Sequence, residues 1–257
     1  MAGEMEYHTR CHILNDTHIL KVSKYNLTVY RIEGKSRSTT GRLLCQLELP
    51  PLAEGFEASY CSSHIQRPPE TPDCSPHFQC DPSLTILVLE YDVVPDRTAL
   101  FVVIPISTML SQADIAGKSS GPARTISWGD WGTAGARLVL VPYKTQASAH
   151  VHVFGSRVAL SVTIPSPRDV MPSGSMHEIV VLDVREGAKR VADTGADRGA
   201  TTKPKFLVLD KYTKEDTAIF ASTVEAKMPY RMTKKLYDHT YIHRDGFAPL
   251  LCGELYV

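Results

Sequence analysis

The stretch that decides the fold runs from residue 128 to residue 184. It opens Trp128-Gly129-Asp130-Trp131-Gly132 and continues Ala136-Arg137-Leu138-Val139-Leu140-Val141. It then reads Ala149-His150-Val151-His152-Val153-Phe154-Gly155-Ser156-Arg157-Val158-Ala159-Leu160 and closes on Glu178-Ile179-Val180-Val181-Leu182-Asp183-Val184. The apolar runs are short, rich in β-branched residues and separated by turn residues, which is the pattern of strands on a half-buried pleated surface. The tryptophans with their glycines read as a packed turn, in which each indole buries a large area and needs a partner for its N–H.

Toward the amino terminus, His18–Ser23, Asn26–Ile32 and Leu43–Leu49 are further strand candidates. The first two are joined by a tight turn at Lys24-Tyr25, and the third is ended by Pro50-Pro51. Strands at this spacing approximate one blade of a β-propeller, whose repeats run roughly 40–45 residues. Residues 54–83, with Pro68, Pro69, Pro72, Pro76 and Pro82, read as a loop. Thr85–Val94 and Ala99–Ile104 follow, paired across Pro95-Asp96-Arg97, and their unbroken apolar character predicts strands covered on both faces. Thr108–Ile115 is the one helical candidate, and residues 113–125 form a Gly/Ser-containing connection. Loops are expected over 163–176 and 193–205, with short β segments at Lys205–Asp210, Ala218–Ser222, Tyr230–Tyr237, Thr240–His243 and Phe247–Val257. The fold class that emerges is all-β, propeller-like in the manner of WD40 or kelch proteins, an incomplete or open ring of about four to five blades. It spans residues 13–257, after a disordered segment 1–12.

A chain of 257 residues that is 43% hydrophobic and 22% charged is sufficient for one large β domain with a real core. Its 28 basic and 28 acidic residues leave no basic surplus, so neither nucleic acid nor an anionic membrane is an expected partner. No apolar run approaches the roughly 20 residues of a membrane-spanning helix. The start, Met1-Ala2-Gly3-Glu4-Met5-Glu6, does not read as a secretory signal, so the sequons at Asn15 and Asn26 are expected to go unused. Six cysteines in such a chain are expected as reduced thiols in a cytoplasmic or nuclear protein.

The sharpest candidate for chemistry is Cys61, His64, Cys74, His77 and Cys80, residue types that ligate zinc, although their spacing matches no standard finger. An ordinary loop explains them better, and no metal is expected. His150 and His152 alternate along a strand with Phe154 on the same side, so that Val151 and Val153 face the core. Ser173-Gly174-Ser175 lacks the strand and glycines of a nucleophile elbow, and no phosphate-cradling loop or dinucleotide fingerprint occurs. No catalytic residue and no cofactor is therefore expected. Arg137 and Arg157, at strand edges, are expected in solvated pairs with Asp130 or Asp183.

The order Trp128-Gly129-Asp130-Trp131-Gly132, Arg137-Leu138, Val153-Phe154-Gly155-Ser156-Arg157-Val158 and Met228-Pro229-Tyr230-Arg231 resembles the carboxy-terminal, propeller-like region of F-box proteins from mushroom-forming fungi. The resemblance covers residues 13–257 and marks Trp128, Trp131, Gly132, Arg137, Gly155, Arg157, Pro229 and Tyr230 as structural motif positions. It implies a non-catalytic substrate-recognition domain of a ubiquitin-ligase receptor, whose partner is an unidentified protein target and whose loops 54–83, 163–176 and 193–205 carry the contacts. No F-box helix bundle precedes residue 13, so a cullin-ligase adaptor is an expected partner only if such a segment lies upstream. The competing expectations are a propeller-fold enzyme or sugar-binding protein, with a central pocket lined by His150, Trp128 or Trp131 and acidic side chains, and a truncated, non-functional paralogue.

Overall fold

Alternating apolar and polar residues set the first strands of the computed structural model, in which residues 10–34, 40–65, 85–95, 98–118, 121–142, 149–165, 175–184, 207–214 and 217–238 are described. β1 (Arg10–Asn15) and β2 (His18–Val22) form a hairpin in which the Thr17 amide donates to Asn15 Oδ1 at 2.9 Å. β1 thus begins inside the segment 1–12 expected to be disordered. β3 (Asn26–Glu33) and β4 (Thr40–Glu48) extend the antiparallel meander. In β2 every second side chain is buried, the alternation of a strand covered on one face.

β5 (Glu57–Ile65), β6 (Ile86–Val94) and β7 (Thr98–Pro105) come next, followed by α1 (Ile106–Gly117), β8 (Arg124–Ile126), α2 (Trp128–Gly135) and β9 (Arg137–Pro142). β10 (Ala149–Phe154), β11 (Arg157–Pro165) and β12 (Ser175–Asp183) form another meander. The short β13 (Lys211–Tyr212) and β14 (Val224–Glu225) precede β15 (Arg231–Asp238). The sheets have the orders β1-β2-β3-β4-β8, β5-β6-β7-β9, β10-β11-β12-β15 and β13-β14. β8 runs parallel to β4, whereas β1 to β4, β7 with β9, β10 to β12 with β15, and β13 with β14 pair antiparallel. The protein is mostly β with two short helices, and no closed ring of blades is found among the described residues. No helix among them is long and apolar enough to cross a membrane.

Contacts gather the chain into two units. Unit 1 comprises Met1–His64, Leu87–Pro142 and Pro204–Met228, and carries the first two sheets, both helices and β13–β14. Its core includes β7 and residues 87–89 of β6, which are buried on both faces as expected, whereas from Glu90 onward β6 alternates between buried and half-buried side chains. Unit 2 comprises Ile65–Ile86, Tyr143–Lys203 and Pro229–Val257 and carries the β10-β11-β12-β15 sheet, in which Val158, Leu160, Val180 and Leu182 are fully buried.

Three expectations need correction. The loop assigned to 54–83 contains β5, in which Ser62 and Ser63 are buried as well as Ala58, and the serine hydroxyls find partners on neighbouring strands. The range 163–176 carries the end of β11 and the start of β12, while 166–174 and 193–205 lie outside the described residues. Finally, Trp128–Gly132 is not a turn but the first part of a helix.

α2 forms against its own propensity. Three of its eight residues are glycine, which costs about 1 kcal/mol each relative to alanine. Trp128 and Trp131 lie three apart, so both indoles share one helix face. They meet edge to face with centroids 5.1 Å apart and are 6% and 2% exposed. An indole buries roughly 150–250 Å², worth about 4–6 kcal/mol at 25 cal/mol/Å², so tertiary burial outweighs the glycine cost. Asp130 in the first turn adds a favourable charge–dipole contact, and its carboxylate accepts from Ser127 Oγ at 2.7 Å. Gly132 is required by packing: a Cβ there would overlap the Trp128 indole.

Gly132→Ala is accordingly expected to destabilise the protein by about 1–3 kcal/mol, despite the helix-propensity gain of about 1 kcal/mol. Urea denaturation checks this, and a midpoint raised by the substitution contradicts it.

Candidate binding cavity

The tryptophan helix is the frame of the site. Trp131 Nε1 donates to the Glu48 carbonyl at the end of β4 at 2.9 Å, and Trp128 Nε1 donates to the Glu225 carbonyl in β14 at 3.0 Å. Thr108 Oγ1 donates to the Gly135 carbonyl at 3.2 Å, which ties α1 to the other end of α2. One short helix therefore joins α1, β4 and β14 through side-chain bonds to backbone.

Arg137, immediately after α2, is fully buried. Its Nε donates to the Met228 carbonyl at 3.0 Å, and Nη2 donates to the same oxygen. Nη1 donates to the Leu209 carbonyl at 2.9 Å and to Asp210 Oδ1 at 3.0 Å. This corrects the expected solvated pair with Asp130 or Asp183: the guanidinium is an internal clamp on residues 209–228. Leu207 and Leu140 exchange backbone bonds of 2.8 and 2.9 Å beside it. The Tyr212 hydroxyl accepts from the Leu209 amide at 3.0 Å and donates to the Leu138 carbonyl at 2.6 Å.

These constraints enclose a cavity of about 790 Å³ within unit 1. Its floor is one face of the second sheet, where Tyr91 and Val93 of β6 alternate in step with Leu100 and Val102 of β7. Its rim is polar and comes from three places: Lys24 and Tyr25 in the β2–β3 turn, Glu48 and Pro50 after β4, and Ser127 and Glu225 around α2 and β14. Tyr25 is 60% exposed, and Lys24 Nζ lies 5.3 Å from its ring centroid while pairing with Glu57 at 3.3 Å. An apolar floor under a polar rim is the usual make-up of a ligand cavity.

A second polar group joins the edge strands β1 and β5. His12 Nε2 and Ser63 Oγ are 2.7 Å apart, and Arg10 Nη1 donates to the Ser63 carbonyl at 3.5 Å. On the same strand, Ser62 Oγ lies 2.7 Å from His64 Nε2 and donates to Glu90 Oε2 at 2.8 Å, with His64 Nε2 and Glu90 Oε2 3.0 Å apart. This closed triangle is not a hydrolytic relay, which places hydroxyl and carboxylate on opposite ring nitrogens. Ser62 is also only 2% exposed. Burial, reinforced by Arg10 and then by His64, holds the His12 imidazole below its ordinary value of 6.5. Burial likewise lowers His18, with Arg31 adding and Asp114 opposing.

Of the other residues singled out in the sequence, His64 is held in that triangle and Cys61 lies on β5, while Cys74, His77 and Cys80 fall outside the described residues. Among the described residues no group of three or more His, Cys, Asp or Glu is placed to hold a metal. His150 and His152 occupy alternate positions of β10, opposite Ser161 and Ala159. Val153 is buried, whereas Val151 is only half-buried. Gly155, with φ +54°, makes the tight hairpin turn into β11 that favours glycine. Arg157 Nε donates to Asp183 Oδ2 at 3.2 Å, as expected, although this pair is largely buried rather than solvated. Pro229 is exposed and Tyr230 half-buried, just ahead of β15. The rim residues Tyr25, Glu48 and Glu225 have no local motif, and only the spacing of the tryptophans hints that something on either side of α2 must accept their N–H groups.

No protein-family model matches this chain, and neither the curated proteins nor the solved structures contain a match to it.

Arg137→Met leaves the Met228 and Leu209 carbonyls without their donors in a buried place, and is expected to cost about 3–5 kcal/mol. Asp210→Asn keeps an acceptor for Nη1 but removes the counter-charge of a buried guanidinium, and should cost less, about 1–2 kcal/mol; a urea midpoint lowered as far as that of Arg137→Met would contradict the clamp. Acid provides a separate check. Because His12 and His18 have lowered values in the folded state, the unfolded chain takes up protons first as pH falls below 6.5. Stability is then full above that pH and declines beneath it until the folded-state values are passed. The urea midpoint should fall between about pH 7.5 and about pH 5.5, by less in His12→Gln, and a midpoint that rises over this window refutes the assignment.

Proposed function

We propose that the chain is a non-catalytic protein-interaction domain that selects an extended segment of a target protein. It resembles in this the substrate-recognition part of an F-box ubiquitin-ligase receptor. In this reading the antiparallel sheets are blades of an incomplete, propeller-like ring, and a ligase adaptor engages only through an F-box carried elsewhere. The observation that carries the reading is the open cavity of about 790 Å³, with its apolar floor on β6 and β7 and a rim offering an exposed tyrosine. The residues that carry the family resemblance support it from below. Trp128, Trp131, Gly132 and Arg137 form the helix and clamp that frame this cavity. Aromatic rings at such a rim are typical anchors of protein recognition.

Display of random peptides against the folded chain tests this directly. Peptides should be enriched that compete with one another, and Tyr25→Ala should weaken them about tenfold, equal to 1.4 kcal/mol, with an unchanged urea midpoint. Absence of enrichment over a heat-unfolded control would sink the reading.

A further inference from the structure

The two indoles do more than fill space, because each fixes the backbone of a glutamate on the rim of the same cavity. Trp131 holds the carbonyl of Glu48 and Trp128 holds the carbonyl of Glu225. Since both bonds reach main-chain oxygens, neither occupies a carboxylate. The Glu48 side chain is exposed and forms no ion pair among the described residues. The Glu225 carboxylate is bonded through Oε2 to Lys227 Nζ at 2.6 Å, a contact that lowers its pKa below the ordinary glutamate value. On the cationic side, Lys24 borders the cavity but is answered by Glu57 at 3.3 Å. Lys24 is thus matched by Glu57, and Glu225 by Lys227 with Lys211 opposite it in the β13–β14 pair, which leaves Glu48 as the rim carboxylate without an ion pair among the described residues.

The aromatic surface fits the same sign of charge. The Tyr25 ring already accepts an ammonium, Lys24 Nζ, 5.3 Å from its centroid, and the ring is 60% exposed. A cation seated between an exposed ring and a carboxylate gains from both. Beside the rim lie Pro51, exposed, and Leu52, half-buried, which accept an apolar neighbour but not a second charge.

We propose that the cavity receives a basic side chain from an extended segment of the partner protein, with Glu48 taking the charged head, Tyr25 covering its face, and an apolar neighbour of the basic residue resting on Pro51 and Leu52. Arginine is the better fit, since its planar fork pairs with a carboxylate through two bonds and stacks on a ring, which an ammonium does not do. This assignment rests on the protein-interaction reading and adds the chemistry of what is selected.

The test is an array of synthetic decapeptides probed with the full chain, the central residue fixed as Arg, Lys, Gln, Leu or Glu and the other positions randomised. Arg-centred peptides are expected to bind at least about tenfold more tightly than Gln- or Glu-centred ones, with Lys between. The preference should shrink as salt rises, because an exposed pair is screened. Glu48→Gln should abolish the Arg preference with an unchanged urea midpoint, because the Trp131 bond is to the carbonyl and survives. Glu48→Lys should invert the preference toward Glu-centred peptides. Binding that ignores the central charge, or an Arg preference that persists in both variants, overturns the assignment and leaves the interaction reading standing. Failure of peptides of every centre overturns the interaction reading and this assignment together.

Discussion

The guanidinium of Arg137, fully enclosed and bonded to the Met228 and Leu209 carbonyls and to Asp210, is the interaction on which the rest of unit 1 depends. A charge removed from water at this depth is tolerated only when its donors are satisfied in good geometry. The backbone that satisfies them is the 209–228 segment, whose described residues have little regular structure beyond β13 and β14. Arg137 therefore dictates where that segment lies. Once it is placed, Glu225 is within reach of Trp128, Ala226 bonds to the Asp210 carbonyl at 2.9 Å, and Lys227 bonds to the Thr133 carbonyl at 2.6 Å. The cavity wall is a consequence of the clamp.

Polar stitches between distant segments recur throughout the unit. Ser63 meets His12 across two edge strands, Tyr212 bridges β9 and the 207–209 stretch, and each indole reaches a carbonyl far along the chain. Apolar burial on β6 and β7 supplies the bulk of the core, but burial is non-directional. The directional bonds select one arrangement of the helices and the irregular segment over others of similar area. Cys45 shows the complementary case: burial pushes its thiol up to about 11, so it behaves as an apolar core residue and not as a reactive one.

Where a strand's interior is apolar, the sequence announces it: β2, β3, β6, β7, β9 and β11 were visible from their apolar runs, and α1 from Thr108–Ile115 within it. β5 was not, because two of its buried positions are the serines Ser62 and Ser63, whose cost is met by partners on other strands. α2 was not, because glycine content argues locally for a turn while the burial of two indoles, a tertiary term, decides for a helix. The motif positions Trp128, Trp131, Gly132 and Arg137 were legible as residues but not in their roles. An arginine at a strand edge looks solvent-facing until the segment that encloses it, some 70–90 residues away in sequence, is in place. The cavity rim was illegible for the same reason, since Tyr25, Glu48 and Glu225 converge only through those long-range bonds.

Amide hydrogen exchange under native conditions probes the clamp most directly. If Arg137 fastens the 207–228 segment to the core, the amides of Leu207, Ala226 and Lys227 should exchange with the same opening free energy as Leu140 in β9, as parts of one cooperative unit. Exchange of those three amides through cheap local opening, while Leu140 stays protected to the global limit, would show that the segment is held by something weaker than the buried guanidinium.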